Sequence, residues 1–397
     1  MAVIGAGIQG ATIALELAER GFPVTLIERG PHPLGAASRW NEGKIHLGYI
    51  YVNDAPERTA RLMAEGATTF EPLLARWIPA RVLTEEVSDG FDYLVARDSL
   101  LDPDTLAGRY QMVSALVDDA LAVPGRRYLG RRKVEPPRRL PPERVAARYD
   151  TRHVVAAFAT EERSVPLAAI ADHLVAAVEG TAAIELVTGL AVERACRQGE
   201  RIALHHADDE IGAFDHVVNA TWSDRLRLDA SLGDASRRAH LFRLKLAVHT
   251  TVTPGVLPTA TMVLGPYGDV VAMPDGTAYL SWYPTGCIAR SAELAPPADW
   301  LTPLAPAEAA RLADETVAEL AARIPQVALV ADTPRTIEGG IIFSWGASDV
   351  DDPNSELHAR YEVGPTTHGG NWHSVDTGKY TLAPLFARRL AERIALR

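Results

Sequence analysis

The first thirty residues constrain this chain more than any other stretch. Met1-Ala2-Val3-Ile4 is apolar and runs into Gly5-Ala6-Gly7-Ile8-Gln9-Gly10, after which residues 11–20 set apolar positions at helical spacing. Gly21 suits a helix C-cap, Pro23 forbids continuation, and Val24-Thr25-Leu26-Ile27 reads as a short buried strand closed by Glu28. A strand, glycine turn, helix and second strand of this size open a βαβ unit, so the chain is committed to a parallel sheet covered by helices. A central strand that begins at residue 1 leads us to expect a few further residues upstream.

In that context each glycine has a mechanical role. Gly5 makes the tight turn, Gly7 lets backbone approach a pyrophosphate, and Gly10 allows the helix to pack closely on the strand. The helix start, with Ile8 and Gln9, offers N–H groups and a partial positive charge to phosphate. Glu28 lies 18 residues beyond Gly10, where it can accept hydrogen bonds from a ribose, with Arg29 beside it. An acid there repels a 2′-phosphate, which argues against NADP.

The next segment helps to choose between NAD and FAD. A nicotinamide dehydrogenase would continue with regular βα units. Here Gly35-Ala36-Ala37-Ser38-Arg39-Trp40-Asn41-Glu42-Gly43-Lys44-Ile45-His46-Leu47-Gly48-Tyr49 is rich in small and hydrogen-bonding residues, as suits a loop lying along an extended cofactor.

With 397 residues, two or three domains are expected. A content of 47% hydrophobic and 23% charged residues excludes a disordered, collagen-like or coiled-coil chain. The net charge of −11 argues against nucleic acid as a partner, which would need a basic face. Two cysteines, Cys196 and Cys287, give no disulfide framework and no four-ligand zinc site, and no apolar run approaches a membrane span. A cytoplasmic location is the expectation, with no metal centre.

Further along, helices are expected over 56–78, 103–121, 167–178, 307–324 and 383–395. Strands are expected over 91–95, 184–187, 190–195, 202–205 and 216–219, and a second, antiparallel sheet over 241–253, 260–264 and 278–283. Residues 126–142 alternate prolines with seven basic residues and read as a solvated loop.

These segments together resemble the FAD-dependent oxidoreductases of the D-amino acid oxidase superfamily. The turn from Val3 to Glu28, the loop from Ser38 to Gly48, Val165-Pro166 before a helix, Val217-Val218-Asn219-Ala220-Thr221-Trp222, and Thr377-Gly378-Lys379-Tyr380-Thr381-Leu382-Ala383-Pro384 stand in the family's order. The Ile-His-x-Gly element at 45–48 is similar to the L-2-hydroxyglutarate and glycerol-3-phosphate oxidase branch. The resemblance implies an α/β (α+β overall) fold. A Rossmann-like FAD-binding domain would span 1–79, 150–225 and 335–397, with an antiparallel-sheet substrate domain inserted at 80–149 and 226–334. It also implies non-covalent FAD, since Cys287 lies about ninety residues before Gly378. The residues expected at the cofactor are Gly5, Gly7, Ile8, Gln9, Gly10, Glu28, Arg29, Ser38, Arg39, Asn41, Gly43, Lys44, Ile45, Ala220, Thr221, Trp222, Gly378, Lys379, Tyr380 and Thr381. Thr221 stands where the family has a glycine, so a tighter turn is expected there.

The implied reaction moves hydride from a C–H bond of a small hydroxy- or amino-bearing substrate to the flavin, with O2 or another acceptor reoxidising it. An alcohol needs a base and a neutral amine does not. His46 is the candidate base, or else a histidine that holds its loop by hydrogen bonds. Tyr49 and Tyr51, on alternating positions, are the next candidates, and Trp282, Tyr283, Trp345, Trp372 and His373 are possible walls. Gly339-Gly340-Ile341-Ile342 lacks the arginine that many family members use to clamp a carboxylate, which leaves Arg39, Arg335 and Arg360 as cations that could face the substrate. The lysine that some amine oxidases place over the flavin has no counterpart near 278–283. Two other readings stay open: a flavoprotein of this fold acting in binding or assembly, and an NAD-dependent dehydrogenase.

Overall fold

The computed structural model describes residues 1–53, 57–350, 352 and 355–396. Strand Ala2–Ile4 lies inside a six-stranded sheet in the order Gly364–His368, Trp372–Asp376, Val217–Asn219, Ala2–Ile4, Val24–Ile27, Ile184–Val187. Neighbours are parallel except at the Gly364–His368 edge. Helices Ile8–Glu19, Leu167–Glu179 and Ala383–Ala395 bury apolar faces on one side. An antiparallel meander, Arg194–Gln198, Arg201–His206 and Asp209–Phe214, covers the other through Ala195, Ile202 and Leu204 against Ala2, Ile4 and Val217. Burial on both faces explains why these strands read as unbroken apolar runs.

A second sheet runs Cys287–Ser291, His240–Thr251, Thr277–Trp282, Gly268–Ala272, Ala260–Val263, Asp92–Ala96, Val154–Ala159, Arg138–Arg139, and Arg335–Trp345 pairs along His240–Thr251. It is antiparallel except where Ala260–Val263 meets Asp92–Ala96. Helix Pro306–Ala321 packs on it through Ala313, Val317 and Leu320. The architecture is thus the mixed α/β fold expected, with one mainly parallel and one mainly antiparallel sheet.

Two expected boundaries move. Val154–Ala159 and Arg335–Trp345 were expected with the cofactor segments starting at 150 and 335, yet both pair within the second sheet. Gly339 and Gly340 make 335–345 look like a loop, but both are strand positions where backbones come close. A Cβ on Gly339 would lie 2.2 Å from Lys245 O, and one on Gly340 2.8 Å from Ala37 Cβ. We propose the same interrupted division with these two edges near 160 and 346.

Helix Pro103–Leu121 begins as read, with Asp102 accepting from the Asp104 and Thr105 N–H groups and Pro103 in the first turn. The helix expected over 56–78 is Arg58–Leu74; Pro56 lies outside the described residues. The basic stretch 126–142 is only partly solvated. Arg127 makes two hydrogen bonds to Glu71, and Tyr128 is fully buried. Among the described residues, no helix is long and apolar enough to cross a membrane, and no group of three or more His, Cys, Asp or Glu side chains could hold a metal.

Candidate active site

A cavity of about 650 Å³ lies between the two sheets and takes its wall from both. One end is built from backbone. Gly5 has φ +90°, and a Cβ there would sit 2.8 Å from Ala220 O, so the turn admits only glycine. A Cβ on Gly10 would lie 1.7 Å from Gly5 O. Gly7, by contrast, faces the cavity, where the nearest atom to an added Cβ is Ser38 Oγ at 3.1 Å. Helix Ile8–Glu19 starts here with no acid in its first turn, and the Ile8 N–H donates to Ser38 Oγ at 3.0 Å. The Glu28 carboxylate is fixed by the N–H groups of Ala6 and Gly30, both at 2.8 Å, and it borders the cavity with Arg29, which pairs with Asp224 at 2.9 Å.

The other end is built from side chains. The loop after Gly43 forms a two-residue ribbon in which Lys44 is opposite Ser164 and Ile45 opposite Arg163. The Tyr128 hydroxyl ties its strands together, donating to Ile45 O (3.0 Å) and accepting from Arg163 N (2.8 Å). One position on, that register sets His46 against Glu162. Glu162 is fully buried, with Oε1 3.3 Å from His46 Nδ1, Oε2 accepting from Leu47 N at 2.8 Å, and Tyr93 OH donating to Oε1. Burial pushes this carboxyl up, but His46, Lys44 and Tyr93 outweigh it and hold it below the usual range. An ionised carboxylate only accepts, so the hydrogen between the two lies on Nδ1. Nε2 is buried without a hydrogen bond, with Glu42 Oε1 3.7 Å away.

Around this pair the charges alternate. Lys44 Nζ donates to Asp269 at 3.0 Å and lies 4.0 Å from the Phe91 ring centroid; Lys245 is 4.0 Å from the other Asp269 oxygen, and Lys379 is 3.9 Å from Glu42. Burial disfavours charged Lys245, yet Tyr279, Asp269 and Glu42 together raise it above the ordinary lysine range. Trp40 and Tyr279 form a wall, each edge-on to His249, whose imidazole burial pushes down to about 4.

The structure separates the expected residues into three groups. Gly5, Gly7, Ile8, Gln9, Glu28, Arg29, Ser38, Asn41, Lys44, His46, Ala220, Thr221, Trp222, Gly378, Lys379 and Tyr380 line the cavity. Gly10, Gly43, Ile45 and Thr381 shape it from behind: Thr381 Oγ1 accepts from His46 N, and a Cβ on Gly43 would meet Val165 O at 2.7 Å. Arg39, Tyr49 and Tyr51 do not line it. Arg39 is drawn to Asp172 at 2.6 Å. Tyr49–Tyr51 is a 3-10 turn rather than a strand, so the two tyrosines do not alternate between faces. Tyr49 packs against Tyr110 with its hydroxyl near Ser114, and Tyr51 stands edge-on behind His46 at 5.6 Å. Trp282, Tyr283, Trp345, Trp372 and His373 also lie off the cavity. Trp372, for one, is core and donates to Asp229. Thr221 needs no special conformation at φ −75°; the positive φ falls on Trp222 instead, at 58°.

Sequence reasoning missed Glu162, Asp269, Glu42, Tyr279 and Lys245 as site residues. Lys245 lines the cavity from strand His240–Thr251, which pairs with Thr277–Trp282. Only Glu42 carried a signal, four residues before His46 in the same loop.

A glycine turn on a parallel sheet, opening into a cavity that ends in a histidine–carboxylate pair, defines a dinucleotide-binding enzyme. The chain belongs to the DAO family of FAD dependent oxidoreductases, whose model matches residues 1–393. It is an FAD-dependent oxidase or dehydrogenase, and the NAD reading falls. Its fold is similar to that of dithionite-reduced L-alpha-glycerophosphate oxidase from Mycoplasma pneumoniae with FAD bound, with a TM-score of 0.69 at 13% identity over 100% of this chain and 94% of that one. Glycine oxidase from Geobacillus kaustophilus gives 0.67 at 16%, and iminodiacetate oxidase from Chelativorans sp. BNC1 gives 0.66 at 18%, each over 99% of this chain and 94% of the other. A search of curated protein sequences returned no match.

Proposed function

We propose that this enzyme oxidises a small polar substrate at a carbon bearing a hydroxyl, with His46 as the general base. The observation that carries this reading is the buried pair in which Glu162 engages His46 Nδ1 and leaves Nε2 unpartnered at the cavity. A neutral amine already carries the lone pair that assists hydride departure and does not require such a base.

Bound FAD supplies the hydride acceptor. The substrate loses a hydride and a hydroxyl proton, and the O–H pair becomes the second bond of a carbonyl. His46 Nε2 receives that proton as the C–H bond breaks, and Glu162 holds the ring in the competent tautomer and balances the imidazolium formed. Glu42 adds a second negative charge on the Nε2 side. Asp269 and the lysines keep this end of the cavity polar without leaving a free acid beside the base.

The chain's own groups suit FAD. The start of Ile8–Glu19, free of acids in its first turn, and the space over Gly7 suit the pyrophosphate, and Glu28 keeps acceptor capacity for ribose hydroxyls. Gln9 Oε1 and Tyr380 OH are buried, unpartnered and at the cavity wall, as expected of groups that await a ligand. Cys196 and Cys287 are free and off the cavity, which supports non-covalent FAD and a reducing, cytoplasmic compartment.

Anaerobic mixing with matched 2-hydroxy and 2-amino acids and polyol phosphates tests the reading. The hydroxyl substrates should bleach the flavin, and His46→Ala should slow bleaching by roughly 10²–10⁴-fold at unchanged FAD content. Unaltered bleaching by His46→Ala would refute the base. Acid precipitation of the same samples should leave the flavin in the supernatant, and oxygen uptake with the active substrate separates O2 from another acceptor.

A further inference from the structure

His46 stands between two carboxylates. Glu162 Oε1 lies 3.3 Å from Nδ1 and Glu42 Oε1 lies 3.7 Å from Nε2, and both acids are held below the usual carboxylate range. Burial raises each of them, but His46 and the lysines outweigh it, Lys44 at Glu162 and Lys379 with Lys245 at Glu42. Negative charge on both sides of an imidazole favours its protonated form, which accepts no further proton. A base in this position needs a group that draws charge away from its partner acid.

Tyr93 is placed to do so. It lies on strand Asp92–Ala96, fully buried, and its hydroxyl donates to Glu162 Oε1, the same oxygen that faces His46 Nδ1. The other oxygen accepts from Leu47 N. Burial, with the Glu162 charge, raises the Tyr93 phenol well above its ordinary range, so it stays neutral and keeps its hydrogen to donate. The ring is fixed edge-on to Tyr110, with centroids 6.2 Å apart, and Lys44 Nζ lies 5.6 Å from its centroid. Three other phenols feel the Glu162 charge, but none of them makes a hydrogen bond to it among the described residues. Tyr49 pairs with Ser114, Tyr128 donates to Ile45 O, and the Tyr110 hydroxyl has no hydrogen bond. Tyr51 meets the His46 ring edge-on, and Asp269 is taken up by Lys44 and Lys245.

We propose that Tyr93 is a positioning residue that tempers the Glu162–His46 pair: by sharing Oε1 with His46 it weakens the carboxylate's hold on the imidazole and keeps the ring a free proton acceptor near neutral pH. A hydrogen bond donated to an ionised acid spreads its charge, and in a buried site a neighbour feels that change strongly. The inference deepens the reading of His46 as the base and rests on it for the effect on rate. The effect on the imidazole's own titration does not depend on that reading.

The test follows the His46 imidazole by NMR in oxidised holoenzyme carrying isotope-labelled histidine, its signals assigned by their loss in His46→Ala, alongside the pH dependence of anaerobic flavin reduction. Tyr93→Phe keeps the ring and removes the donor. The His46 titration midpoint should rise by roughly half to one pH unit at unchanged FAD content, and the acid limb of the rate profile should rise with it. Replacing Tyr93 by a ring-difluorinated tyrosine, a stronger donor of similar shape, should move both downward. In a Glu162→Gln background Tyr93→Phe should add little, because the charge it acts through is gone. A midpoint that is unchanged or falls in Tyr93→Phe would reduce Tyr93 to packing and overturn the proposal. An equal shift with and without the Glu162 charge would overturn it as well. Should Tyr93→Phe fail to fold, the difluorinated protein decides, and a midpoint that does not move downward there is the overturning result. A midpoint that moves as expected while the rate profile does not follow it would support the tempering of the pair and remove His46 as the base, so the two readings fail separately.

Discussion

The two ends of the cavity are built on opposite principles. At the Gly5–Gly10 end the working groups are main-chain N–H donors, and side chains matter mostly by their absence. At the His46 end they are charged side chains from five separate segments, each fixed by another's charge. A backbone site tolerates most substitutions but no added Cβ at a crossing point. A side-chain site tolerates changes of bulk better than loss of one charge.

The largest effect should come from the backbone end. Gly10→Ala forces a Cβ into Gly5 O and should cost on the order of 3 kcal/mol or more in folding stability, seen as a lowered melting temperature of the apoprotein. The Cβ of Gly7→Val meets only Ser38 Oγ and the side chain enters the cavity, so the apoprotein should melt within about 1 kcal/mol of wild type while FAD binding is lost. If Gly7→Val retained stoichiometric FAD, the division of labour among these glycines would be wrong.

The next effect tests the other end. Glu162→Gln keeps shape and removes charge, so flavin reduction should slow by roughly 10–100-fold, with the acid limb of the pH–rate profile moved to lower pH. Glu162 is held below the ordinary carboxylate range, so its contribution to stability is present above that range and fades as the pH falls through its lowered folded value. Wild type should therefore lose an increment of stability in that acid window, and Glu162→Gln should show a flatter profile there. A variant with wild-type rate and the same acid sensitivity would reduce Glu162 to packing.

The smallest effect belongs to Lys379, 30% exposed and 3.9 Å from Glu42. Lys379→Ala should change the flavin reduction rate by less than about fivefold, as befits a solvated pair. A larger loss would make that lysine part of the side-chain end proper.

Legibility in the sequence follows the same divide. The glycine turn is local: three glycines within six residues, a strand before and a helix after, so it could be read without tertiary knowledge. Strand Arg335–Trp345 could not, because Gly339 and Gly340 carry the composition of a loop while serving close strand contact. Glu162 lies 116 residues from its histidine, and the ribbon that joins them has two residues per strand, too short for any periodicity. The alternation of Tyr49 and Tyr51 misled because a 3-10 turn has no two faces. Lys245 sits mid-strand between Leu244 and Leu246, where its role depends on Asp269 across the sheet.

Strand Ala2–Ile4 has a further consequence for biosynthesis. It is flanked by Val24–Ile27 on one side and, from far later in the sequence, by Val217–Asn219 on the other, with Trp372–Asp376 one place beyond. The strand–turn–helix can form at once, but its second flank is made far later and the outer strand later still. Parallel pairing over such separations is slow. The nascent chain must therefore keep an apolar strand edge covered until Val217–Asn219 is made, and FAD can be captured in a complete cavity only after Gly378 and Tyr380 are in place.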